Sequence, residues 1–199
     1  MNKLMAMLTS DDKYTIDYKT QDPQLQKTAH HLCWQLNQTD PDDDETRRAI
    51  MNQLLGTCSP MTFIGANFQC DYGFNIHTAG LALLNYNVTI LDTSPVRIGA
   101  GAFIAPGVVL ACPSHAMDKE QRMNGISWSL PITLEDGVWL GANVTVVGGV
   151  TIGAGSVIGA GSVVTKDIPA GVVAVGAPAR VVRKITAADR IDPNELTEF

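Results

Sequence analysis

From Leu134 onward the chain can be written in sixes: LEDGVW, LGANVT, VVGGVT, IGAGSV, IGAGSV, VTKDIP. The first position reads Leu134, Leu140, Val146, Ile152, Ile158 and Val164. The fifth reads Val138, Val144, Val150, Ser156 and Ser162, with Gly or Ala between. The phase also runs upstream through Ile98, Ile104 and Leu110, which lies a multiple of six before Leu134. A looser version runs Ile64, Cys70, Ile76, Ala82 and Val88. Six matches neither the 3.6-residue period of an α-helix nor the two-residue period of a lone strand. It matches a short strand plus a turn, repeated as one side of a coil. The aliphatic residue points inward and stacks on its equivalents. The small fifth residue lets the wall close, and Gly or Asn at the turn tolerates positive φ. Each buried aliphatic contributes roughly 1.5–3 kcal/mol, so about a dozen dominate stability. The expected fold is mainly β, a parallel β-helix.

One segment imitates a membrane span. Residues 137–165 carry no charged side chain, and they outrun the ~20 apolar residues a spanning helix needs. Eight of them are Gly, however, and Asn143, Thr145, Thr151, Ser156 and Ser162 interrupt the run. The six-residue phase also has no place in a spanning helix, and a flexible Gly-rich linker would not keep β-branched residues in register. No membrane span is expected.

Before the repeat, Asp22-Pro23 and Asp40-Pro41 each read as an N-cap followed by Pro at the first helical position. Leu25, Ala29, Leu32, Cys33 and Leu36 then share one helical face. Ile50, Met51, Leu54 and Leu55 share another, and Gly56 supplies a stop. The expected organisation is a helical cap over residues 1–57, a β-helix over 58–185 and a tail over 186–199. Residues 112–130 interrupt the repeat as a long loop that carries His115. Loops of that length in compact domains are usually functional.

Fourteen Lys and Arg against 20 Asp and Glu leave a net charge of −6, which argues against nucleic-acid or membrane-surface partners. Cys33, Cys58, Cys70 and Cys112 show no paired spacing. They read as reduced, mostly buried thiols, and with no signal-like run at residues 1–12 a cytoplasmic location is expected.

The stretches Cys70-Asp-Tyr-Gly-Phe-Asn-Ile76, Asn85-Tyr-Asn-Val-Thr-Ile-Leu-Asp92 and Pro113-Ser-His115 resemble the hexapeptide-repeat O-acetyltransferases, nearest to their maltose and galactoside group. Arg122-Met-Asn-Gly125, Pro131-Ile132, Val138-Trp-Leu-Gly141, Val164-Thr-Lys-Asp-Ile-Pro169 and Gly176-Ala-Pro-Ala-Arg-Val-Val-Arg183 extend the likeness in order, over about residues 18–185. The resemblance implies a left-handed β-helix, a homotrimer with active sites between subunits, acetyl-CoA as co-substrate and a sugar or glycoside acceptor. Serine or an antibiotic as acceptor is the alternative within the enzyme class, and a non-catalytic binding scaffold the alternative outside it.

The same likeness assigns residues. His115 matches the catalytic base, and an imidazole, ordinarily of pKa ~6.5, is competent to take a hydroxyl proton at neutral pH. Asn85 matches a position beside the acceptor and the base, where its amide would orient the hydroxyl. Asp71 and Asp92 are candidates to accept hydrogen bonds from sugar hydroxyls, or to cap turns. Trp139, Gly141, Ala142 and Ala160 would line the path of the pantetheine arm, with the backbone N–H near Ala142 facing the developing oxyanion. Thr165, Lys166, Arg180 and Arg183 would meet the coenzyme phosphates; residues 166–184 carry a net +3. No acetyl-cysteine intermediate is called for at Cys112, and no metal site is expected: His30, His31 and His77 need no catalytic role. Where the family often has an arginine in the first helix for the acceptor, this chain has none before Arg47.

Overall fold

The computed structural model describes residues 3–195. Its body is a parallel β-solenoid of about six turns, the expected left-handed β-helix. Three flat faces wind around one core. The first carries strands Ile76–Thr78, Val96–Ile98, Ile132–Leu134 and Thr151–Ile152. The second runs from Thr62–Ile64 through Ala82–Leu84, Ala102–Ile104, Trp139–Leu140 and Val157–Ile158 to Val172–Gly176, with Ala179–Lys184 added antiparallel. The third carries Gln69–Cys70, Thr89–Leu91, Val109–Ala111, Thr145–Val147 and Val163–Val164.

Register explains the repeat. On the second face Ile64, Leu84, Ile104, Leu140 and Ile158 pair in line and are buried. At the corner between the second and third faces, Asn67, Asn87, Gly107, Asn143 and Gly161 all adopt positive φ. This is the conformation that only Gly and, less readily, Asn tolerate.

The looser upstream phase is corrected by this register. Ile64 and Cys70 are first-position residues, but Ile76, Ala82 and Val88 are fifth-position residues, aligned with Val96, Ala102 and Val108. The slip has a single location. Steps from the first face to the second, and from the second to the third, are always six residues. At the third-to-first corner, Cys70 to Thr78 and Ile90 to Ile98 each take eight, and Leu110 to Leu134 takes 24. Two short bulges and the long loop thus project from one corner in three successive coils.

The loop is folded, not structureless. Pro113–His115 pairs antiparallel with Ile126–Ser129 around a short helix, Lys119–Met123. The N-terminal strand Tyr14–Asp17 adds to the other side of Ile126–Ser129, giving a three-stranded arm.

Three helices precede the first coil: α1 (Lys3–Leu8), α2 (Pro23–Gln38) and α3 (Asp44–Leu54). Asp22 caps α2 with Pro23 at its start, as expected. Helix α3 departs from expectation: its N-cap is Asp43, whose carboxylate accepts from Thr46 N, while Asp40 only closes a turn onto Asp42 N. Ala29, Cys33 and Leu36 of α2, with Ile50, Met51 and Leu54 of α3, close the open end of the core. Side chains also satisfy the edge that end would expose. Arg47 donates to Leu36 O and Ile64 O, Arg48 to Ser59 O and Thr62 O, and Asn37 bonds both Phe68 O and Phe68 N. An unpaired sheet edge is otherwise a template for aggregation.

Candidate active site

At the corner where the period breaks, the bulges and the arm enclose a cleft of about 340 Å³. His115 stands at its rim, exposed at the end of its strand and paired with Ser127 across the arm. Asp71, from the first bulge, shares the cleft with Leu91 and Thr93 of the second. Burial pushes the Asp71 carboxyl above its usual range, and His30 partly offsets this.

The remaining walls come from the N-terminal segment: Tyr18, Gln21, Pro23 and Gln26. The rings of Tyr18 and His115 stand perpendicular, centroids 6.2 Å apart. Sequence reasoning missed these four residues because no local signal ties them to His115. They are brought there by the pairing of Tyr14–Asp17 with Ile126–Ser129 and by Tyr18 N donating to Gly125 O. Gly125 is held at φ 91°, and a Cβ there would come within 2.3 Å of Asp17 Oδ1. In the first long helix, where an acceptor-binding arginine was sought, the residues lining the cleft are Pro23 and Gln26.

Asp92 does not face the cleft, which corrects its assignment to the acceptor. It is fully buried, and its oxygens accept from the N–H groups of Asp71, Tyr72 and Asn75, so that it anchors the first bulge. Burial pushes its carboxyl up to about 7, against those amide donors.

The other sequence candidates are not gathered around His115 within one chain. Asn85 and Ala142 lie at the corner between the second and third faces, and Ala160 follows one coil on, above Ala142. The Asn85 carbonyl accepts from Tyr86 N at 2.8 Å, which fixes the amide and leaves its NH₂ as donor. No acceptor meets the Ala142 N–H among the described residues. Gly141 packs so closely on the next coil that a Cβ would come within 2.6 Å of Ala160 N. Trp139 projects from the second face, half exposed, in register with Phe63, Leu83 and Phe103.

Thr165 and Lys166 are exposed beyond Val163–Val164, and Arg180 is exposed on the last strand, bonding only its neighbour's carbonyl, Ala179 O. Arg183 is already engaged by Asp189 at 2.8 Å. Cys112 is buried, donates to Ser94 O, and burial pushes its thiol up to about 12, which leaves it protonated and unreactive. Among the described residues no group of three or more His, Cys, Asp or Glu is placed to hold a metal, and no helix is long and apolar enough to cross a membrane.

Two family models match. Residues 131–166 fit the bacterial transferase hexapeptide (six repeats), and residues 17–59 the maltose acetyltransferase hexapeptide capping motif. Galactoside O-acetyltransferase of Escherichia coli is 39% identical over 168 residues, 84% of this chain and 83% of that protein. The structure of a maltose O-acetyltransferase from Clostridium difficile superposes with TM-score 0.86 at 37% identity, covering 94% of this chain and 98% of that one. A hexapeptide-repeat-containing acetyltransferase of Vibrio cholerae, complexed with acetyl coenzyme A, gives TM-score 0.86 at 30% identity, covering 92% and 99%.

Proposed function

The chain belongs to the hexapeptide-repeat acetyltransferases, and from that premise we propose that it transfers the acetyl group of acetyl-CoA to a hydroxyl of a sugar or glycoside. The observation that carries this reading is the cleft: an exposed imidazole, a partly buried carboxylate and uncharged hydrogen-bonding side chains around a space fit for one small polyol.

His115 takes the proton as the acceptor oxygen attacks, and returns it to the departing sulfur. Asp71 accepts a hydrogen bond from a neighbouring hydroxyl and so fixes which oxygen faces the base. Acetyl-CoA supplies the thioester carbonyl; the Ala142 N–H is a donor suited to the charge that develops on its oxygen, and the Asn85 NH₂ a donor suited to orienting the acceptor hydroxyl. The small residues Gly141, Ala142 and Ala160 leave backbone open to a narrow chain beside Trp139. Thr165, Lys166 and Arg180 are free to meet phosphate, whereas Arg183 must first give up Asp189.

His115 and Asn85 occupy different corners, so the site is complete only between two copies. The apolar ladder of Phe63, Leu83, Phe103 and Trp139 on the second face is the kind of surface a second copy covers. A homotrimer is the closed assembly we propose.

The test is thiol release from acetyl-CoA with a panel of sugars. His115→Ala should lose about 10²–10⁴ in kcat while still binding CoA. Undiminished turnover in that variant would remove His115 from the reaction.

A further inference from the structure

The cleft beside His115 is built unevenly. Its lining includes three apolar ring side chains, Tyr18, Pro23 and Pro113, and two polar ones, Asp71 and Gln21; of these, the Tyr18 ring stands directly beside His115, its centroid 6.2 Å from that of the imidazole. Tyr18 is half exposed, and its hydroxyl has no hydrogen-bond partner among the described residues. Its backbone, by contrast, is fixed. Asp17 caps the short 3-10 turn Tyr18–Thr20, and Tyr18 N donates to Gly125 O of the arm. A side chain exposed on an immobilised backbone, beside the base, serves as a surface rather than as packing.

Gln21 is similarly directed. Its carbonyl accepts from the Tyr72 hydroxyl at 2.7 Å, which fixes the amide and leaves its NH₂ as a donor beside the cleft that the residue lines. A ring that can stack, in the same cleft as an acceptor, Asp71, and a donor, Gln21, matches the two aspects of a pyranose. Its C–H face is apolar and its rim carries hydroxyls that both donate and accept. An open-chain polyol or serine has no flat C–H face to lay on the tyrosine.

We propose that Tyr18 is the platform for the acceptor ring and selects cyclic sugars over acyclic hydroxyl compounds. The inference rests on the sugar-acetylating reading above and names the feature of the acceptor that is recognised. It places no chemistry on Tyr18; His115 remains the base.

The experiment compares a methyl pyranoside with a hexitol as acceptors, for the wild type, Tyr18→Phe and Tyr18→Ala. The wild type should prefer the pyranoside. Tyr18→Ala should lower kcat/KM for the pyranoside by about tenfold or more, mainly through KM. The hexitol should change little, and Tyr18→Phe should keep the preference because the ring remains. Equal losses on both acceptors would assign Tyr18 a merely structural part and overturn the platform. Full retention of the pyranoside preference in Tyr18→Ala, in an enzyme that acetylates pyranosides, would overturn the platform alone. A wild type that ignores both polyols but acetylates serine would overturn the sugar reading together with it.

Discussion

Beneath the cleft, Asp92 carries a carboxyl raised to about 7 by burial. A group whose folded pKa lies above its unfolded value binds its proton more tightly when folded. Its contribution is therefore complete below the unfolded value, near 4, and is lost as pH rises toward 7. Asp92→Asn keeps the shape and removes the titration. Relative to that variant, the wild type should lose stability on the order of 3 kcal/mol between pH 4 and 7, read from urea midpoints at a series of pH values. A pH-independent difference would show that the carboxyl titrates normally. The turn column gives a second residue-scale expectation. Asn143 sits at φ 57°, so Asn143→Ala should cost about 1–2 kcal/mol and Asn143→Gly far less, measured by thermal unfolding. His115 was found in the sequence through the motif around it. Asp92 was misplaced because an Asp in a turn reads the same whether it faces solvent or three amides.

Among the elements, the helical cap and the N-terminal strand do separate jobs. Helix α3 places Arg47 and Arg48 on carbonyls of the first coil and its flanks. Arg48→Met strands Thr62 O and leaves Ser59 O only the Thr62 N–H and the weak Cys58 thiol as donors, and should cost about 1–3 kcal/mol, seen as a lowered urea midpoint. The Tyr14–Asp17 strand holds the arm that carries His115, and the Tyr14 hydroxyl donates to Thr93 O in the cleft wall. Tyr14→Phe should cost about 1 kcal/mol and speed amide exchange selectively in residues 126–129. Exchange confined to the first coil would contradict that assignment. The repeat itself was legible because one residue in six must be buried in any such coil. The slips at 71–75 and 91–95 were not, since Asp71-Tyr-Gly-Phe-Asn75 resembles the ordinary turns around it. Asp40-Pro41 offered a sound start for α3, yet Asp43, three residers before Thr46, makes the bond that begins it.

For the whole molecule, one principle links these parts: a regular coil supplies rigidity, and every insertion falls at one corner, where a cleft results. The candidates Asn85, Ala142 and Ala160 occupy another corner, so on the proposed reading a lone chain holds two half-sites. This separation was invisible in the sequence, where Asn85 and His115 are only 30 positions apart, because distance along a coil says nothing of which corner a residue reaches. The direct measurement is complementation between His115→Ala and Asn85→Ala, each inactive alone, after the two are unfolded, mixed in equal amounts and refolded together. With one half-site from each of two copies, about one site in four regains both side chains, and activity should return to about a quarter of the wild type. A mixture as inactive as its components would mean that each chain works alone, and the account of a shared site would fail.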